Sequence, residues 1–190
     1  MATKRLFVAV ELTDSVKDTL HRIQQRLQPY FVRATWARPE GLHITLKFLG
    51  PTPVERIDAI VAALTPVARQ TQPFTMEVRG IGVFPGWDRP RVLWVGVTDA
   101  RPLVALQARV ETALSAMGFS PERRTYHPHV TLARIRWTER GVIRQFRERM
   151  LHQFDRPWGT TVVRAFVLFE SQLHPQGAIY TPLHRFRFAL

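Results

Sequence analysis

Two histidines of this 190-residue chain stand in the same four-residue frame, His43-Ile44-Thr45-Leu46 and His129-Val130-Thr131-Leu132. Both frames lie in alternating runs, residues 42–48 and 129–133, of the kind that form strands. Successive strand side chains point to opposite faces, so His43 shares a face with Thr45, and His129 with Thr131. Ile44, Leu46, Val130 and Leu132 then turn the other way, into a core. An imidazole exchanges its proton near neutrality. Two of them, each beside a hydroxyl, supply one base, one acid and polar clamps for an oxyanion. Those are the parts of a phosphodiester transfer that needs no metal. A single such frame recurs by chance; two, one in each half, point to a paired site.

On a regular strand Lys47 shares the face of His43 and Thr45, which makes it a candidate contact for substrate phosphates. His127, two residues before His129, invites a metal-ligand reading. No cluster of Cys, Asp or Glu lies nearby and Pro128 interrupts the geometry, so no metal is assigned. Tyr126, Phe84, Trp36 and Trp87 are candidates for stacking on a base, although large aromatics are as often core. Arg89 and Arg91 are candidates for lining a nucleic-acid path.

The elements that must position these residues read as one theme played twice. Residues 5–12 form a strand, and 14–28 follow with Val16, Leu20, Ile23 and Leu27 at helical spacing before Pro29. A short segment at 34–37 leads to the first His-Thr strand, which closes at Gly50-Pro51. Thr52-Pro53-Val54-Glu55 predicts a helix start with a capping threonine and an acid three residues on. That helix carries Ile57, Ile60, Val61 and Leu64, and Pro66 ends or kinks it before Gln70. The second half offers strands at 74–82 and 91–97, with a turn at Phe84-Pro85-Gly86-Trp87. Asp99 then caps a helix that Gly118 stops. The second His-Thr strand comes next, with a helix at 142–151 and β-rich stretches at 161–170 and 178–188. The repeated order implies α+β lobes, each with an antiparallel sheet backed by helices, and the two His-Thr strands facing each other across a groove.

Lysine and arginine number 27 against 15 acidic residues, a net charge of +12, and arginine greatly outnumbers lysine. Such a field draws polyanions, and arginine's planar fork suits phosphate. There is no cysteine, hence no disulfide, thiolate nucleophile or zinc-thiolate site. No apolar run approaches a membrane span, and the start is too short in its apolar part for a signal peptide, which fits a cytoplasmic location. No linker divides the chain, so residues 1–190 are expected to be a single two-lobed domain.

The chain resembles the two-histidine phosphoesterase superfamily, and within it the 2′-5′ RNA ligase or RNA 2′,3′-cyclic phosphodiesterase family. The likeness runs from Arg5-Leu6-Phe7-Val8-Ala9-Val10-Glu11-Leu12 through Leu42-His43-Ile44-Thr45-Leu46-Lys47-Phe48-Leu49-Gly50, Phe84-Pro85 and Pro90-Arg91-Val92-Leu93-Trp94-Val95-Gly96. It continues in Tyr126-His127-Pro128-His129-Val130-Thr131-Leu132-Ala133-Arg134, Leu168-Phe169-Glu170-Ser171 and Tyr180-Thr181-Pro182-Leu183. The resemblance implies a bilobal fold with two pseudo-repeated lobes around a central groove. It implies hydrolysis of RNA 2′,3′-cyclic phosphate ends to 2′-phosphomonoesters, without cofactor or metal, and 2′-5′ ligation when a 5′-hydroxyl replaces water. His43 would be the proton donor and His129 the proton acceptor, with Thr45, Thr131 and Arg134 on the phosphate. Arg134 poses a difficulty. Strict alternation puts it on the face opposite His129, so it joins the site only if the strand bulges after Leu132. Broken tRNA halves are one source of such RNA ends; no protein partner or membrane is called for. The rival readings are a two-histidine phosphodiesterase on another 2′-5′ or cyclic nucleotide, and a non-catalytic RNA-binding module.

Overall fold

In the computed structural model of the chain, which describes residues 2–189, strands and helices follow the expected order. They are β1 (Thr3–Glu11), α1 (Asp14–Leu27), β2 (Arg33–Trp36), β3 (His43–Pro53), α2 (Ile57–Arg69), β4 (Phe74–Phe84) and β5 (Val92–Thr98). After these come α3 (Arg101–Ser115), β6 (His129–Trp137), α4 (Arg140–Met150), β7 (Pro157–Val163), β8 (Ala165–Gln172) and β9 (Ile179–Arg187). All strand pairs are antiparallel, in the order β7-β4-β5-β6-β3-β1-β8-β9, with β2 beside β6.

The strands of the two lobes join at one place. β3 and β6 pair only through Ile44↔Val130 among the described residues. On one side lie β3, β1, β8 and β9; on the other lie β6, β2, β5, β4 and β7. The bilobal α+β architecture is the expected one, but the halves of the sequence are interleaved. α1, which follows β1, packs on the other lobe: its Gln24 amide donates to the carbonyls of Ala37 and Leu132, and Val16 lies against Gly159 of β7. α3, which follows β5, crosses the opposite way to pack on α2 and β3. Each half thus lends the other the helix after its leading strand. α1 buries the apolar face that the periodicity marked, Val16, Leu20, Ile23 and Leu27, and α3 buries Leu103, Leu106, Val110 and Leu114 at the same helical spacing.

Three local expectations are corrected. Thr52 does not cap a helix; it continues β3 opposite Lys4, its hydroxyl bonds the Gly50 carbonyl at 3.1 Å, and α2 begins only at Ile57. Strand pairing satisfies the backbone that a cap would have served. Asp99 does not cap α3 either, since Ala100 occupies that place and Asp99 turns the chain with φ 53°. The stretch 161–170 is two strands rather than one: it breaks at Arg164, with β7 pairing β4 in one lobe and β8 pairing β1 in the other.

A two-histidine site around one strand pair

The Ile44↔Val130 pair fixes the site. Both side chains are fully buried, so the histidines and threonines on either side of them emerge together on the opposite face of the sheet. The two frames are therefore related by an approximate twofold axis through this pair. The motif strands lie side by side in one sheet instead of facing each other from two.

Each imidazole is held the same way. His43 Nδ1 is 2.6 Å from the carbonyl of Gly41, and His129 Nδ1 is 2.7 Å from the carbonyl of His127, in both cases two residues back. A carbonyl only accepts, so Nδ1 carries the proton and Nε2 is left as the exchanging nitrogen. His43 Nε2 lies 3.1 Å from Thr45 Oγ1, which donates to it when the ring is neutral. Aromatic walls confine the rings. Phe7 at 4.9 Å and Tyr180 edge-on at 5.0 Å enclose His43, and Phe84 stands edge-on at 5.0 Å from His129 with Trp94 at 6.3 Å.

This enclosure sets the protonation. Burial lowers the His43 pKa to about 4, opposed by its bond to Gly41 and assisted by the charges of Lys17 and His129. Burial also lowers the His129 pKa, opposed by the bond to His127 and assisted by His127 and Arg134. Both rings are neutral at pH 7 in the free protein.

A repeated β-bulge decides which neighbours join them. Val8 pairs Lys47 but Ala9 pairs Thr45, so Leu46 is an extra residue in β3. Leu93 pairs Ala133 but Trp94 pairs Thr131, so Leu132 is an extra residue in β6. An extra residue inverts the alternation beyond it. Leu46 and Lys47 are consecutive buried residues, as are Leu132 and Ala133. The position five after each histidine thereby returns to the site face: Phe48 in β3 and Arg134 in β6.

The bulge resolves the difficulty over Arg134, whose positive charge reaches both His129 and Tyr180. It corrects the reading of Lys47 as an RNA contact. Lys47 is 6% exposed and turned to the core side. There its ammonium bonds Glu111 Oε1 at 2.6 Å and the Ser120 carbonyl at 2.8 Å. Tyr126 keeps its place beside the site, but its hydroxyl is given to the Thr45 carbonyl at 2.9 Å, and burial raises its pKa. Arg91 is exposed and holds the Arg136 carbonyl at 2.7 Å. Trp87 stacks on Phe154 at 5.2 Å, a packing role. His127 joins no metal-ligand group among the described residues.

Sequence reading missed Phe7, Phe48, Phe169 and Tyr180, which line the His43 side. One signal was present. Residues 6–10 are apolar without alternation, the mark of a strand covered on both faces, and the second face is the floor beneath His43. Beside it opens a cavity of about 190 Å³ lined by Glu11, Lys17, Arg38, His43, Phe169 and Tyr180, among others. A central phosphate could meet both Nε2 atoms, both threonine hydroxyls and one guanidinium.

A family model described as the 2′-5′ RNA ligase superfamily matches residues 12–172, which include both frames. Among curated relatives, the RNA 2′,3′-cyclic phosphodiesterase of Methanothermobacter thermautotrophicus is 33% identical over 96% of this chain and 98% of its own. That of Archaeoglobus fulgidus is 35% identical over 96% and 99%. Among solved structures, TT0787 of Thermus thermophilus superposes with a TM-score of 0.79 at 28% identity, covering 97% of both chains. Escherichia coli LigT complexed with 3′-AMP superposes at 0.78 with 24% identity over the whole of both chains, a likeness of fold.

Proposed function

The chain belongs to the 2′-5′ RNA ligase superfamily, and from that premise we propose that it is an RNA 2′,3′-cyclic phosphodiesterase working through His43 and His129. The observation that carries this is the pair of identically anchored imidazoles whose Nε2 atoms share one face about the Ile44↔Val130 pair.

In the reaction, His129 Nε2 takes a proton from water as the water oxygen bonds to phosphorus. His43 Nε2 gives a proton to the departing 3′ oxygen, and the broken P–O3′ bond leaves a 2′-phosphomonoester. The Thr45 and Thr131 hydroxyls and the Arg134 guanidinium hold the non-bridging oxygens as their charge grows. The phosphate monoanion brings the negative charge that favours one imidazolium, so the acid is charged when substrate binds. In the reverse direction the histidines exchange roles. A 5′-hydroxyl in place of water gives a 2′-5′ phosphodiester by the same displacement, its energy stored in the cyclic ester.

The substrate is RNA with cyclic phosphate ends, with broken tRNA halves as a source, and the setting is the cytoplasm. No described helix is long and apolar enough to cross a membrane. Residues 1–190 act as one two-lobed domain.

The test follows a short RNA ending in a 2′,3′-cyclic phosphate, in excess EDTA, with the position of the product phosphate resolved. Wild type is expected to yield the 2′-phosphate, and His43→Ala and His129→Ala each to lose roughly 10²–10⁴-fold. Turnover that survives both substitutions would overturn the site. Binding without turnover would point to another cyclic or 2′-5′ substrate, or to a binding module.

A further inference from the structure

Beyond Arg134, the strand that carries His129 leads straight into a second basic feature. Arg134 and Arg136 are both exposed on one face of β6, with buried Ile135 between them. Three residues after the strand ends, α4 begins with Arg140. α4 buries Ile143 and Phe146 and turns Arg140, Arg144 and Arg147 outward at helical i, i+4, i+7 spacing. These three, with Trp87, Asp88, Ile143 and Glu148, line an open cleft of about 780 Å³.

At its start the stripe runs against the helix's own electrostatics. Arg140 sits at the positive end of the helix dipole, and the first turn contains no acid, although Glu139 precedes it. Arg140 with Arg144, and Arg144 with Arg147, are like-charge neighbours that each weaken a helix by a few tenths of a kcal/mol. None of the three forms an ion pair among the described residues, though Asp88 and Glu148 lie in the same cleft. A helix serving only to cover its lobe needs Ile143 and Phe146 and gains little from such a row beyond the favourable place of Arg147 in its last turn. An external polyanion would neutralise it.

The cleft is also joined to the site. Phe84 touches His129 at 5.0 Å; three residues on, Trp87 packs on Phe146 of α4 at 5.7 Å and carries the Arg147 guanidinium 5.7 Å above its ring. Three residues span at most roughly 10 Å. The spacing suits a chain of phosphates leaving the reaction centre, and the exposed guanidinium row suits a flexible single strand that needs no base readout.

We propose that the α4 stripe of Arg140, Arg144 and Arg147, with the Trp87 cleft, binds the phosphate backbone of the RNA strand whose cyclic end lies at the two histidines. This rests on the proposed function for the end, and it extends it to the body of the substrate. The enzyme therefore distinguishes an RNA terminus from a free cyclic nucleotide by a surface that takes no part in the chemistry.

The experiment compares wild type, Arg140→Gln/Arg144→Gln/Arg147→Gln and the corresponding triple Glu variant on two substrates, a mononucleoside 2′,3′-cyclic phosphate and a single-stranded RNA of about ten nucleotides with the same end. Anisotropy of the same RNA carrying a 3′-hydroxyl reads binding without turnover. The expected result is unchanged kcat/KM on the mononucleotide and, on the RNA, a loss of roughly tenfold for Gln, larger for Glu. The slope of log affinity against log salt should fall by about 2, since each phosphate contact on a single strand contributes about 0.7. Equal RNA kinetics in wild type and both variants would overturn the proposal, and so would equal losses on both substrates. Stripe-dependent RNA binding by a wild type inactive on both substrates would retain this surface while removing the proposed reaction. Tighter binding to an acidic peptide or anionic vesicle than to the RNA would assign the stripe to another partner.

Discussion

Neutral histidines and an exposed guanidinium make a site that must acquire its charge from the substrate, and its pH dependence should show this. Bound phosphate raises both imidazole pKa values, because a neighbouring anion favours the protonated ring. The kcat profile reports the complex and kcat/KM the free protein. The kcat optimum is therefore expected at higher pH than the kcat/KM optimum; coincident profiles would contradict substrate-induced charging. Stability gives an independent reading. The His43 pKa is lowered in the fold to about 4 from 6.5, so the unfolded chain binds the proton more tightly. The stabilisation that comes from keeping this ring neutral is whole above about pH 6.5 and is lost as pH falls toward 4. Melting temperature should drop over that window less steeply in His43→Gln than in wild type. For Arg134, replacement by Gln is expected to reduce kcat by roughly 10²-fold with a smaller effect on KM, and Lys to restore only part, because a point charge lacks the fork. The two histidines and two threonines were legible from the sequence because residue type and spacing were enough. Arg134 was legible only through family resemblance, since its face depends on one extra residue in a strand.

At the scale of elements, the bulges at Leu46 and Leu132 are what strict alternation cannot supply. A bulge has no residue signature in this chain, so Lys47 read as a phosphate contact when it is a buried tie. Its ammonium joins β3 to α3 through Glu111 and to the loop before β6 through Ser120, and Glu111 also accepts from the Glu122 amide at 3.1 Å. Lys47→Met leaves the Glu111 carboxylate without its cation and is expected to destabilise the fold by about 2 kcal/mol, read by urea unfolding. Loss of RNA binding at unchanged stability would instead restore Lys47 as a substrate contact. Gly82 tests the opposite wall. A Cβ there would overlap the Trp94 ring, which lies across from Thr131 and beside His129. Gly82→Ala should move that ring and lower activity, with an overpacking penalty of roughly 1–3 kcal/mol. The helices themselves were legible to within a few residues because their apolar stripes are regular. Their exchange between lobes was not, since periodicity says which face is buried and never against what.

For the whole molecule, that exchange ties the lobes into one folding unit. α1 and α3 each pack on the lobe that their leading strand does not join, and the chain steps across again at Arg164 between β7 and β8. All five tryptophans, Trp36, Trp87, Trp94, Trp137 and Trp158, belong to the lobe of β2, β4, β5, β6 and β7 or to its loops. Intrinsic fluorescence thus follows one lobe, while far-ultraviolet circular dichroism follows both. The two denaturation curves are expected to coincide; a fluorescence transition separated from the dichroism transition would show that the lobes unfold apart. The net charge of +12 belongs to this scale also, and a steep fall of RNA affinity with salt is its expected signature.

Repeating the same bulge in both strands brings two unlike residues to equivalent places, an aromatic ring at Phe48, 63% exposed, and a cation at Arg134. Everything nearer the axis, imidazole, carbonyl tether and hydroxyl alike, is duplicated. A device duplicated in its proton carriers has no inherent forward sense; polarity must come from the places where the copies differ. Phe48 and Arg134 are such a place, and exchanging them as Phe48→Arg/Arg134→Phe should turn the substrate about. The product would still be a 2′-phosphate, but the acid would now be His129: a 3′-thio cyclic ester, whose thiolate leaves without an acid, should rescue His43→Ala in the wild type and His129→Ala in the exchanged protein.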